Sequence, residues 1–190
     1  MERKFVEPRI LKIDERELSS RLSVPLGMDV DIAELYERIL EVAKPAYVSE
    51  RVKICADNSE VRIGAAVTES RAIAKLAEGC SEAVVFVATL GMGVERLLIK
   101  SSLSSCTDAF FMDAIADALV EALCDYAEDS LTKGKVSVGR FSPGYADLEL
   151  SFGHEILRLC SAEKTLGIKL SATGMMIPRK SVNAIIMIKD

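Results

Sequence analysis

Tryptophan is absent from this chain of 190 residues, and aromatic residues make up only 5% of it. A hydrophobic core must therefore come from aliphatic side chains, which are plentiful because apolar residues make up 49% of the chain. At this length a single domain buries roughly 70% of the surface that the unfolded chain exposes. The protein therefore needs neither disulfides nor a structural metal in order to fold.

Histidine and cysteine are also scarce, which excludes several kinds of site. His154 is the only histidine, so a multi-histidine metal site cannot form. The five cysteines are an odd number, are scattered, and form no C-x-x-C pair, which argues against a disulfide framework or a zinc site. Because their neighbours are apolar or small, we expect buried free thiols; they are Cys55, Cys80, Cys106, Cys124 and Cys160.

The sequence has no long apolar run and no excess of positive charge. Its longest nearly apolar stretches, residues 83–90 and 184–188, fall far short of the roughly 20 residues of a membrane helix. Its charged start has no apolar core of the kind found in signal peptides. A net charge of −5 argues against binding the nucleic-acid backbone. We expect a cytoplasmic protein that binds neither membranes nor nucleic acids.

Hydrophobic periodicity predicts a mixture of helices and strands. Helices are expected at residues 14–22, 32–43, 69–77, 94–101, 108–131 and near 152–161. Strands are expected at residues 51–56 and 60–66 as a hairpin, at 83–90 as a strand buried on both faces, at 135–138, and at 169–173 and 182–189, the last two paired around Pro178. Because these elements show no steady β-α-β alternation, the pattern favours an α+β fold.

The turn at residues 89–93 joins a predicted strand to a predicted helix. Such a turn can bind a phosphate through its main-chain N–H groups. Its two glycines, Gly91 and Gly93, lack the third glycine of a dinucleotide-binding motif and the Gly-Lys-Ser/Thr of a P-loop. A plain strand-to-helix turn is the favoured interpretation.

Acidic residues recur every four positions along the long predicted helix. They form one stripe of Asp113, Asp117, Glu121 and Asp125. Like charges at this spacing repel, so a solvated face is the favoured interpretation. The alternatives are a ligand cation beside one of the acids or a divalent metal. The buried stripe of the same helix is predicted to be Phe111, Ile115, Leu119, Ala122 and Tyr126.

The segment at residues 139–145 is the most informative stretch for function. Pro143-Gly144 predicts a turn, because proline presets its own φ and glycine accepts a positive φ. Arg140 and Tyr145 flank this turn, and both side chains are well suited to contact a ligand. The residues alone leave ligand binding and a purely structural turn as open alternatives.

This segment, R-F-S-P-G-Y, resembles the Arg-x-x-x-Gly-Tyr motif of the S-adenosylmethionine (AdoMet) binding activation domain of cobalamin-dependent methionine synthase. Three further stretches resemble that domain in the same order, so the similarity runs from about residue 83 to residue 184. They are V-F-V-A-T-L-G, A-I-A-D-A-L-V-E-A-L-C-D-Y and L-S-A-T-G-M-M-I-P-R-K-S-V-N-A. Phe141 departs from the family, which often has proline at that position.

The resemblance implies a single activation-type domain over residues 1–190. Residues 1–45 are then an irregular and helical N-terminal part, and residues 46–190 are the AdoMet-binding core. The family fold is a C-shaped α+β unit with a twisted antiparallel sheet, and AdoMet lies in a shallow groove.

The resemblance also implies which residues bind AdoMet. Arg140 would grip the carboxylate through paired hydrogen bonds, and Tyr145 would lie near the sulfonium. Glu121 would pair with the ammonium or with a ribose hydroxyl. Main-chain groups of the turn would complete the site, at Phe141, Ser142, Pro143 and Gly144. No catalytic residue and no metal ligand is implied.

The implied function is the reductive methylation that reactivates a cobalamin cofactor, in support of methionine biosynthesis. No Asp-x-His-x-x-Gly motif occurs, so cobalamin would be carried by a partner, either a methionine synthase or another corrinoid methyltransferase. A flavodoxin- or ferredoxin-type donor would supply the electron. Two alternatives stay open: a docking module without AdoMet turnover, and a metal-dependent enzyme that uses the acidic stripe.

Overall fold

A computed structural model describes residues 3–13, 18, 22 and 30–189. The helix predicted at residues 14–22 lies almost entirely outside the described residues. The described helices are α1 (Ile32–Val42), α2 (Arg71–Leu76), α3 (Met92–Ser104), α4 (Cys106–Thr132), α5 (Gly153–Leu159) and α6 (Ala162–Leu166), with short 3-10 helices at Pro8–Ile10 and Leu150–Phe152. The described strands are β1 (Lys4–Phe5), β2 (Ala46–Asp57), β3 (Glu60–Ile63), β4 (Ala66–Glu69), β5 (Cys80–Thr89), β6 (Ser137–Phe141), β7 (Lys169–Leu170), β8 (Met176–Ile177) and β9 (Ser181–Lys189).

Seven of these strands form one sheet, and every described pairing in it is antiparallel. The order is β4-β3-β2-β5-β9-β6, and β1 pairs with the start of β2. Strands β7 and β8 form a separate two-stranded hairpin. The α+β fold with an antiparallel sheet and flanking helices, predicted from the sequence, is confirmed.

The central strand β5 divides the core into two layers. Its residues from Ala83 to Ala88 are all buried, as predicted for a strand covered on both faces. Val84 and Phe86 face the first layer, which contains α1, α3 and α4, whereas Val85 and Val87 face the second layer, which contains α2, α5 and α6. This alternation follows from the two-residue period of a strand.

Local signals in the sequence explain the best-predicted helices. Helix α1 begins after Asp31, whose carboxylate accepts a hydrogen bond of 2.9 Å from the main-chain N–H of Glu34. Its side chains at helical spacing, Leu35 and Ile39, are buried in the first layer. On α4 the predicted buried stripe is also correct, except that Tyr126 is exposed.

Three other expectations are wrong in detail. The strand at residues 182–189 does not pair with residues 169–173, because β9 lies between β5 and β6 while β7 pairs with β8. The strand predicted to end at residue 138 continues to Phe141. Finally, Cys55 and Cys106 are exposed, whereas Cys124 and Cys160 are buried as expected.

Candidate functional site

The motif segment begins on β6, which is the last strand at one edge of the sheet. Arg140 lies opposite Ile186 of β9, and Phe141 lies opposite Ile185. Because neighbouring residues of a strand face opposite sides, the Arg140 side chain faces the first layer and the Phe141 side chain faces the second. The segment is therefore strand up to Phe141 and turn beyond it.

The guanidinium of Arg140 lies against the acidic residues of α4. Its Nη1 donates to Asp125 Oδ1 at 2.7 Å, and its Nη2 donates to Glu121 Oε2 at 3.1 Å. Glu128 Oε2 is 3.8 Å from Nη1. The Arg140 side chain is only 21% exposed. Burial opposes the charge, but nearby Cys124, Asp125 and Glu121 outweigh it and raise the pKa of Arg140.

The other half of the acidic stripe pairs with Lys180, which lies just before β9. Its ammonium is 2.6 Å from Asp117 Oδ1 and 2.9 Å from Asp113 Oδ1, and its side chain is only 7% exposed. The stripe is therefore no purely solvated face: Lys180 and Arg140 join it to the sheet. Among the described residues, no three His, Cys, Asp or Glu side chains are grouped so that they could hold a metal ion.

The turn after β6 has the form that the sequence predicts. Gly144 has a φ of +91°, a conformation that favours glycine. Its main-chain N–H donates to the carbonyl of Leu148 at 2.8 Å, and the N–H of Tyr145 donates to the carbonyl of Ser142 at 3.2 Å. Pro143 is buried beneath the turn. These contacts fix the turn and present Tyr145 at the surface.

Tyr145 and Phe141 form an aromatic pair on the second-layer side. Their ring centroids are 6.4 Å apart and their planes are inclined by 60°. Tyr145 is 68% exposed, so its ring is available to another molecule. The structure thus places Arg140 next to Glu121, and Tyr145 next to Phe141. The side chains of Arg140 and Phe141 point to opposite faces of β6, so the two pairs begin on opposite sides of the sheet.

A second segment lies beside the turn, and Leu150 lies between the two. A Cβ atom built on Gly174, in the loop between β7 and β8, would be 2.8 Å from Cδ2 of Leu150. A Cβ atom on Gly144 would be 3.4 Å from Cδ1 of the same leucine. Glycine at both positions lets the turn and the hairpin loop close around one apolar side chain.

Asp147 ties the motif segment to the rest of the second layer. Its Oδ1 accepts a hydrogen bond of 2.6 Å from the hydroxyl of Ser70, and its Oδ2 accepts one of 2.7 Å from the main-chain N–H of Arg71. These bonds, the one to Ser70 foremost, hold the pKa of Asp147 below its usual range. The loop after the turn is therefore anchored at the start of α2.

The glycines of the 89–93 turn are explained by packing. Gly91 has a φ of +87° at the start of α3. A side chain at Gly93 would collide with the main-chain carbonyl of Val42, at the end of α1. This supports the interpretation as a plain strand-to-helix turn.

Sequence reasoning missed Lys180, Asp147 and Asn183 near the segment. The acidic stripe on the long helix could have predicted a basic partner such as Lys180, because such a stripe packs well against basic residues of the neighbouring sheet. Asp147 gave no signal, since its partners lie in a distant helix. Asn183 stood inside an apolar strand, where its buried amide is itself unusual.

Comparison with known proteins gives a clear result at the level of the fold. No family model matches the chain, and no curated protein matches it. None of the helices within the described ranges has the length and apolar character needed to cross a bilayer. A crystal structure of the MetH reactivation domain bound to AdoHcy (S-adenosylhomocysteine) superimposes with a TM-score of 0.75 at 17% sequence identity, covering 98% of this chain and 77% of that one. The chain therefore has the fold of the MetH reactivation domain.

Proposed function

We propose that this protein binds AdoMet along the segment from Arg140 to Tyr145 and supports the reductive methylation of a cobalamin carried by a partner methyltransferase. The fold supports this proposal, because the domain that shares it was crystallised with AdoHcy, the product that remains when AdoMet has given up its methyl group. The motif segment supports it independently, because it begins on a half-buried strand at one edge of the sheet and continues into a turn whose Gly144 and Tyr145 are exposed.

The observation that carries the proposal is the group of carboxylates that lies around Arg140. AdoMet bears an ammonium, a sulfonium and one carboxylate, so its net charge is positive. Within the described part of the chain, carboxylate oxygens of Glu121, Asp125 and Glu128 lie 3.1, 2.7 and 3.8 Å from the guanidinium of Arg140. A cationic ligand with one carboxylate complements this group, since the acids attract its cations and Arg140 attracts its carboxylate.

Arg140 can bind a ligand while it keeps its hydrogen bonds to the acidic residues of α4. A guanidinium has five N–H donors. Arg140 uses two of them in its hydrogen bonds to Asp125 and Glu121. The remaining donors suit a carboxylate. The ligand would cross the edge at β6, with its carboxylate on the first-layer side and its sulfonium near the exposed ring of Tyr145.

The role of this chain in the reaction is to position the methyl group of AdoMet. An electron from a flavodoxin- or ferredoxin-type donor and the methyl group of AdoMet together restore the partner's methylated cofactor and leave AdoHcy. The residues of this chain bind AdoMet and hold its methyl group toward the partner. No acid, base or nucleophile from this chain is needed, and the reaction would take place in the cytoplasm.

A reactivation assay tests this proposal. A cobalamin-dependent methionine synthase that lacks its own reactivation domain would be oxidised to the inactive cobalt(II) form and mixed with reductant. We expect the absorption spectrum of the methylated cofactor to appear only when both AdoMet and this protein are added. The same spectrum without this protein, or none with it, would contradict the proposal for this partner class.

A docking module without AdoMet turnover is the second candidate. It is favoured by the hydrogen bonds of Arg140 to Asp125 and Glu121, which occupy the guanidinium from within the protein. In that case the protein would retain a corrinoid protein in a pull-down, and AdoMet would change neither the amount retained nor the cobalt spectrum. AdoMet-dependent retention would exclude this candidate.

A further inference from the structure

Asn183 places a polar side chain inside an apolar layer. It lies on β9 opposite Val87 of β5, and its side chain faces the second layer together with Ile185 and Met187. The residue is only 9% exposed. Its amide oxygen Oδ1 is fully buried and accepts no hydrogen bond, while Nδ2 lies 3.3 Å from the sulfur of Met176.

Folding stability does not account for this asparagine. A buried acceptor without a partner destabilises the folded state, because it has given up its hydrogen bonds to water. If the amide group were flipped, its nitrogen would take the place of the oxygen and would have no good acceptor. In either orientation, one of the two amide atoms therefore lacks a good hydrogen bond. Leucine has nearly the same shape and carries no such cost. A residue that folding does not favour points to a ligand.

Asn183 lies beside the motif turn. Phe141, the last residue of β6, lies opposite Ile185 of β9. Because the two strands are antiparallel, Asn183, two positions before Ile185, lies beside the point where the chain leaves β6. Met176 of the β7–β8 hairpin covers it from one side. A Cβ atom on Gly153 would lie 3.3 Å from Nδ2, so glycine at that position makes room for the amide.

The exposed surface beside the motif turn is apolar, which suits a flat ring. Leu150 lies between the turn and the hairpin loop, and it is exposed together with Tyr145 and Met175. Strands β7 and β8 contain two residues each, so the hairpin that covers the amide is held by a short pairing. Met176 lies against Nδ2 of Asn183, so an outward movement of Met176 together with a half-turn of the amide group would bring Oδ1 to this surface.

We propose that Asn183 is a ligand-binding residue whose amide oxygen accepts a hydrogen bond from the 6-amino group of the adenine of AdoMet or AdoHcy. This inference rests on the proposed function. A neutral amide in apolar surroundings suits a neutral aromatic amine, whereas the ligand's ammonium is better matched by the carboxylates around Arg140. The adenine ring would lie on the apolar surface formed by Leu150 and Met175.

Calorimetric titration with AdoHcy tests the inference, with Asn183→Leu beside the wild type. We expect the variant to bind AdoHcy about 3- to 10-fold more weakly, the loss of one neutral hydrogen bond. We also expect its melting temperature to be at or above that of the wild type, because the unpaired oxygen is gone. A purely structural asparagine predicts the reverse: a lower melting temperature and unchanged affinity.

A second measurement needs no variant. The AdoHcy analogue that carries hydrogen in place of the 6-amino group should bind the wild type more weakly than AdoHcy by the same factor, and Asn183→Leu should not discriminate between the two. Equal binding of both compounds to the wild type would overturn the role of Asn183 and leave the proposed function standing. No binding of AdoHcy to the wild type would overturn both.

Discussion

Nη1 of Arg140 and Oδ1 of Asp125 lie 2.7 Å apart and join the edge strand β6 to the long helix α4. A second charged contact, between Lys180 and Asp117, joins the same helix to β9. The acidic stripe of α4 is therefore a line of ion pairs between a helix and the sheet, and any ligand at Arg140 adds to contacts that already exist.

Removal of Arg140 should weaken the fold as well as the site. We expect Arg140→Ala to lower the free energy of unfolding by about 1–2 kcal/mol, because Glu121 and Asp125 lose a charged hydrogen-bond donor. Their side chains are 37% and 70% exposed, which limits the cost. Urea denaturation measures this difference. The matched control is Arg158→Ala, which breaks an exposed pair with Glu155 on α5 and should change stability by less than about 0.5 kcal/mol. Equal effects of the two variants would contradict the account of the Arg140 group.

Lys180 offers a sharper test of the stripe. Because its side chain is nearly buried between two carboxylates, Lys180→Met should lower the free energy of unfolding by about 2–3 kcal/mol. The triple variant with Asp113→Asn and Asp117→Asn removes the uncompensated charges as well, and it should recover part of that loss. Single and triple variants of equal stability would show that the ion pairs are not the cause.

Long, periodic elements were predictable because their signals are local. Helix α4 has the side-chain period of a helix with one buried face, and β5 contains a continuous apolar run. Asp31 and Gly91 mark the starts of α1 and α3. The partner of β9 was not predictable in this way. Its neighbours β5 and β6 are distant in sequence, so the nearby Lys169–Leu170 looked like the natural partner.

The site was predictable only in part, for a similar reason. The residues of the turn gave its conformation, and the structure shows the expected positive φ at Gly144. The partners of Arg140 depend on how α4 packs against β6, which no local pattern encodes. The assignment of Arg140, Phe141, Ser142, Pro143, Gly144, Tyr145 and Glu121 to AdoMet binding stays a prediction.

Asp147 predicts a dependence of stability on pH. Its folded-state pKa is lowered, so its hydrogen bonds stabilise the fold fully above the unfolded pKa of about 3.9 and are lost as the pH falls through the lower folded value. In Asp147→Asn the amide nitrogen cannot accept a hydrogen bond from Arg71. We expect a lower melting temperature than the wild type at pH 7, and a smaller difference at pH 3. Asp129→Asn, at an exposed position of α4, is the control and should show no such trend. A difference independent of pH would rule out ionisation of Asp147 as the cause.

The most direct measurement is a calorimetric titration of the wild type, Tyr145→Ala and Tyr126→Ala with AdoMet. Both tyrosines are exposed, so neither change should unfold the protein, but only Tyr145 lies in the motif turn. We expect saturable binding to the wild type and to Tyr126→Ala, and binding about 2- to 30-fold weaker to Tyr145→Ala, the range for a cation against an aromatic ring. The absence of binding to the wild type at millimolar AdoMet, or equal affinity in all three proteins, would contradict it.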